Sequence, residues 1–68
     1  MKIRYFSDTD TALLEFSNND VFETREISEN LYLDLDSNGN PVSMTIEHAS
    51  TNANIQEVSF QQIPAGSN

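Results

Sequence analysis

Two runs of alternating apolar and polar residues meet across a glycine-bearing polar stretch in the middle of this chain. Leu31-Tyr32-Leu33-Asp34-Leu35 leads into Asp36-Ser37-Asn38-Gly39-Asn40, and Val42-Ser43-Met44-Thr45-Ile46 follows. A two-residue period puts successive side chains on opposite faces of a strand, so each run reads as a strand with one apolar face. Asn-Gly between two such runs is among the strongest hairpin signals in sequence. This unit commits the chain to an antiparallel sheet.

The same stretch also spaces oxygen-bearing side chains like a calcium loop. Asp34, Asp36, Asn38 and Gly39 fall at the first, third, fifth and sixth positions of an EF-hand loop. The match then fails. Thr45 stands at the twelfth position, where a bidentate glutamate belongs, and the flanks carry the period of strands rather than helices. The hairpin reading is therefore preferred, and a divalent-metal or small-ligand site on the Asp34–Asn40 turn is kept as the alternative.

Strand signals recur on either side. Ile3 and Tyr5 share a face opposite Lys2 and Arg4, and Ser7-Asp8-Thr9-Asp10 forms a turn in which Asp and Ser side chains bond nearby amides. Ala12, Leu14 and Phe16 then oppose Leu13 and Glu15. Ser17-Asn18-Asn19-Asp20 reads as a second tight turn. In Val21–Ile27 the pattern is broken by Glu23 and Arg25, which implies either a β-bulge or an edge strand with a solvated face. Ser28-Glu29-Asn30 turns the chain into the central hairpin. The expected fold is mainly β (α+β): an antiparallel β-meander of about five short strands, with a short helix near residues 47–53. Residues 1–63 are expected to form one domain, extended to about Gln61, and residues 64–68 a flexible C-terminal tail.

A chain of 68 residues buries only about 60% of the surface its unfolded form exposes. Small domains of this kind usually gain a staple, and the absence of cysteine excludes disulfides. A homo-oligomer, a different protein partner or a bound ion remain as sources of extra stability, and a partner subunit is the one expected. Exposed sheet edges favour such association. Eleven acidic residues against three basic ones give a net charge of −8. That surface repels phosphate backbones and attracts basic proteins, so nucleic acid is not an expected partner. No apolar stretch approaches the roughly 20 residues of a membrane span, and no leader pattern opens the chain. Lack of cysteine fits a reducing cytoplasm, the expected location.

Catalytic patterns are weak. His48 is the one histidine, and nothing in the spacing selects a serine and an aspartate to accompany it; a lone histidine after a strand reads as a cap or a helix-side polar group. Asp8 and Asp10 read as turn residues rather than an acid–base pair. Gly39 and Gly66 are too few for a phosphate loop. Tyr5, Phe6, Phe16, Phe22, Tyr32 and Phe60 lack basic neighbours and read as core and cross-strand packing rather than a base-stacking platform. No enzyme activity, catalytic residue, metal ligand set or cofactor is expected. The candidate acidic interaction surface comprises Asp34, Asp36, Asp8 and Asp10.

Several segments carry a resemblance. Met1-Lys2-Ile3-Arg4-Tyr5, Asp10 before Ala12-Leu13-Leu14, Glu23-Thr24-Arg25-Glu26-Ile27, Leu33-Asp34-Leu35-Asp36 with Gly39, and Thr45-Ile46-Glu47-His48-Ala49-Ser50 stand in an order similar to that of small bacterial proteins catalogued as domain of unknown function 2283. The resemblance covers about residues 1–50. Members commonly place an aspartate after the first tyrosine, where this chain has Phe6. The family transfers no catalytic residue. Some members lie beside toxin-like genes, so the resemblance implies an antitoxin-like or accessory binding role.

Overall fold

A computed structural model describes residues 1–66; Ser67 and Asn68, the end of the expected tail, lie outside the described residues. Five strands form one antiparallel sheet: β1 (Lys2–Phe6), β2 (Thr11–Glu15), β3 (Glu23–Ser28), β4 (Leu31–Leu35) and β5 (Pro41–Glu47). One short helix, α1 (Ala49–Asn52), follows within the expected 47–53 window. Beyond it the backbone is irregular, and Val58-Ser59-Phe60 joins no strand.

The spatial order is β1-β2-β5-β4-β3. β3, β4 and β5 follow one another as a meander, and β5 then meets β2 at the centre of the sheet. The Ser17–Asp20 segment accordingly differs from the tight turn expected. Residues 16–22 cross from β2 to β3 past the end of the sheet where β4 reverses into β5, and a seven-residue segment reaches about 23 Å when extended. Phe16 N–H donates to the Val42 carbonyl at 2.8 Å and Phe22 N–H to the Leu35 carbonyl at 2.8 Å, so both ends of the crossing are tied to strands it passes. Alternation alone cannot distinguish this route from a hairpin, because both serve the same strand pattern.

The irregular third strand resolves into both expected features. β3 is an edge strand, and its pairing with β4 shifts between Glu26 and Ser28, leaving Ile27 at a bulge. A second shift beside Leu35 leaves Val42 as the extra residue of β5.

Register arranges the side chains in rows across the sheet. Ile3, Leu14, Met44, Leu33 and Arg25 form one row, and Tyr5, Ala12, Ile46, Leu31 and Ser28 the next, on one face. The opposite face carries Lys2, Glu15, Ser43, Asp34 and Thr24, then Arg4, Leu13, Thr45, Tyr32 and Glu26. The first face is apolar and the second polar. Helix α1 and residues 53–58 lie over only part of the apolar face. Ala12, Leu35, Val42 and Ala49 are the buried hydrophobic residues, and no large side chain is fully enclosed. The central Leu14, Leu33, Met44 and Ile46 are half-buried.

Candidate functional site

The four aspartates of the candidate acidic surface divide between opposite ends of the sheet. Asp8 and Asp10 belong to the β1–β2 turn, and Asp34 and Asp36 to the other end, where β4 reverses into β5. Strands of five residues separate those ends by about 17 Å. Only Asp8 of the four is exposed without a hydrogen bond among the described residues.

Asp36 organises the reversal between β4 and β5. Its Oδ1 accepts the backbone N–H groups of Asn38 and Asn40, both at 2.9 Å, and its Oδ2 accepts Asn19 Nδ2 at 3.0 Å. The Gly39 N–H donates to the Asp36 carbonyl at 3.0 Å, and glycine supplies the positive φ of 82° that the turn needs. The carboxylate thus fixes both its own turn and the crossing segment. The Asn40 amide leads the interactions that hold the Asp36 carboxyl below its ordinary range, outweighing the opposing effect of burial. Asp34 bridges three strands: Thr24 Oγ1 donates to it from β3 at 2.5 Å and Ser43 Oγ from β5 at 2.7 Å. The Asp34 and Asp36 carboxylates that resembled calcium ligands therefore accept protein donors. No group of three His, Asp or Glu side chains arranged to hold a metal ion occurs among the described residues.

Asp10 makes a second clamp. Tyr5 Oη donates to Oδ1 at 2.7 Å, Ser50 N–H to Oδ1 at 3.0 Å, and Ser50 Oγ to Oδ2 at 2.7 Å. The Ala49 N–H adds a 2.9 Å bond to the Asp10 carbonyl. Tyr5 and then Ser50 are the main reasons the Asp10 carboxyl is held low. Tyr5 is in turn pushed up, chiefly by that hydrogen bond. Asp10 and His48 are the non-glycine residues with positive φ among those described, at 54° and 53°. Both meet at this junction, where four bonds to Asp10 and the wholly buried Ala49 hold the left-handed backbone in place.

A serine, a histidine and an aspartate come near one another here, but their connections differ from those of a nucleophilic triad. Ser50 donates to the carboxylate itself. His48 occupies the helix N-cap position, and its Nδ1 lies 2.9 Å from Asn30 Oδ1. The arrangement fastens the β1–β2 turn and the Asn30 loop to the start of α1.

Three glutamates gather at another place, on the polar face around Tyr32. Glu26 stands directly opposite Tyr32 on β3. Glu47 is two residues beyond Thr45, the partner of Tyr32 on β5, and shares its face. Glu29 belongs to the adjoining turn, and its carbonyl accepts Tyr32 Oη at 3.4 Å. The charge of Glu47 is the largest influence raising the Tyr32 phenol, followed by burial and then Glu26 and Glu29. None of these three glutamates enters an ion pair among the described residues, whereas Arg4 pairs with Glu15 at 3.6 Å and Arg25 with Glu23 at 3.1 Å. The strand alternation places Tyr32 on the polar face. The neighbours of Tyr32 depend on cross-strand register, which a single chain's periodicity does not encode.

These features define a small single-sheet β protein, stapled by aspartate clamps and carrying an acidic surface around one tyrosine. The chain belongs to the family of proteins of unknown function designated DUF2283, whose model matches residues 2–50, from β1 to the Asp10–Ser50 clamp. No curated protein and no solved structure matches the chain. None of its described helices is long and apolar enough to cross a membrane.

Proposed function

We propose that this protein is a non-enzymatic protein-interaction module whose Glu26–Glu29–Glu47 surface, centred on Tyr32, receives a basic protein partner. The observation that carries this reading is the convergence, on one aromatic side chain, of three glutamates that enter no ion pair among the described residues. Clustered like charges raise the local potential and speed encounter with an oppositely charged surface. Tyrosine adds a rigid amphipathic contact of the kind enriched at interface centres. The net charge of −8 supports the same polarity of partner. An antitoxin-like or accessory role in the cytoplasm is the narrower form of this reading, supported by the family resemblance.

Capture from a bacterial lysate on the immobilised protein tests the reading. A stoichiometric basic partner is expected at low salt, released as salt rises, and lost from a Glu26→Gln, Glu29→Gln, Glu47→Gln triple variant. Failure to recover any stoichiometric partner, or equal recovery by the triple variant, rules the reading out.

A further inference from the structure

The two edges of the sheet are closed differently. β3 is blunted by its bulge at Ile27 and by Glu23 and Arg25, which pair with each other at 3.1 Å. β1 has no such break. Lys2–Phe6 runs in unbroken register along β2, and all five residues are exposed. Among the described residues its backbone bonds only to β2, so alternate N–H and C=O groups along its outer side stand open. Charge separates the edges too. Lys2 and Arg4 are two of the three basic residues in the chain, and both project from the polar face of β1. Arg4 lies 3.6 Å from Glu15 yet is half exposed, and Lys2 enters no ion pair among the described residues. On the apolar face, Ile3 and Tyr5 line a groove of about 160 Å³ that Ile55 and Val58 cover from the other side. An apolar cavity of about 150 Å³ is large enough for benzene, so the groove suits one leucine-sized or phenyl-sized side chain.

We propose that β1 is a docking edge for an extended segment of a partner protein in which apolar side chains alternate with acidic ones. Added beside β1 as a sixth strand, such a segment satisfies the open backbone groups. Strand alternation then sorts its side chains between the two faces. The apolar set turns towards Ile3, Tyr5 and the groove, and the acidic set towards Lys2 and Arg4, where cross-strand pairs of opposite charge are favourable. A chain of net charge −8 repels an acidic segment over most of its surface, which leaves this edge as the place to receive one. A second copy of the chain does not meet the same requirement. An antiparallel pair of β1 strands centred on Arg4 sets arginine directly opposite arginine, a destabilising arrangement. The edge is also separate from Tyr32, which stands on β4, three strands away.

NMR titration of the isotope-labelled full chain tests the proposal. The probe is a capped heptapeptide that alternates aspartate with valine and carries leucine at its central position. Amide shifts and slowed hydrogen exchange are expected along Lys2–Phe6, with methyl shifts at Ile3, Leu14 and Val58. Alanine in place of the central leucine of the peptide should weaken binding about tenfold. Lys2→Glu in the protein should weaken it about threefold, and this exposed substitution leaves the buried residues untouched. A heptapeptide with lysine in place of aspartate should leave β1 unshifted. The Glu26, Glu29, Glu47 glutamine variant should bind the acidic heptapeptide as wild type does, which separates this inference from the reading of the Tyr32 surface. An unshifted β1 at millimolar acidic peptide overturns the proposal. So do shifts centred on β3, or equal binding of the lysine peptide.

Discussion

Asp36, at the foot of β4, receives two backbone amides and an asparagine side chain, whereas Glu47, at the head of the neighbouring β5, enters no ion pair among the described residues and acts on Tyr32 through its charge. The contrast follows from side-chain length and location. An aspartate at a chain reversal reaches amides two to four residues on, so its charge is held by the N–H groups of the turn it stabilises. A glutamate within a strand projects from the sheet face, away from its own backbone. In this protein the aspartates at Asp10, Asp34 and Asp36 hold the fold together, and the glutamates at positions 26, 29 and 47 give the surface its potential. Counting acids is therefore a poor guide to where a basic partner meets the chain.

The sharpest way to break this division is to exchange the treatments. Asp36→Ala removes three hydrogen bonds and is expected to lower the melting temperature by about 10 °C. The triple glutamine variant at 26, 29 and 47 should melt within a few degrees of wild type. Thermal denaturation followed by circular dichroism compares them, and equal losses would erase the distinction.

Acid titration gives a smaller but more selective effect. Asp10 and Asp36 are both held below their ordinary value of 3.8. A carboxyl depressed in the folded state adds stability that is complete above the unfolded-state value and is lost as pH falls through the lower folded one. The melting temperature should drop below about pH 4, and it should drop less steeply in Asp10→Ala than in wild type. Parallel pH curves for the two proteins would show that the clamp contributes nothing to acid sensitivity.

The smallest effect isolates the outer surface. Glu47→Gln removes the leading influence on Tyr32, so its phenol should titrate closer to the ordinary value of 10.0. Tyr5, raised mainly by its bond to Asp10, should keep its position. Stability should change by no more than about 0.5 kcal/mol. NMR titration of the two tyrosine rings resolves the two cases, and an unmoved Tyr32 would detach Glu47 from the site.

Most strands were legible from periodicity, because Leu31-Tyr32-Leu33 and Met44-Thr45-Ile46 alternate without interruption. The Asn38-Gly39 reversal was legible from turn chemistry, and the disturbed phase near Arg25 correctly signalled a bulged edge strand. Strand order was not, since Ser17–Asp20 carries turn residues whether the chain doubles back or crosses the end of the sheet to β3. The candidate site was read less well. Asp10 and Asp36 look exposed in sequence, yet their partners Ser50 and Asn19 lie 40 and 17 residues away. The Tyr32 surface draws on β3, β4 and β5, so only register reveals it.

The position of β5 bears on how the chain is made. β1 with β2, and β3 with β4, can pair as soon as each hairpin is synthesised, but β2 and β4 both wait for β5 to fill the gap between them. The contacts that join the halves, such as Ala12 with Ile46, span 34 residues, and such distant pairings slow folding because a long loop must close first. Until Pro41–Glu47 has left the ribosome, two strand edges remain open to other nascent chains. The growing polypeptide is therefore most prone to aggregation shortly before β5 emerges, and a translational pause there would prolong the hazard.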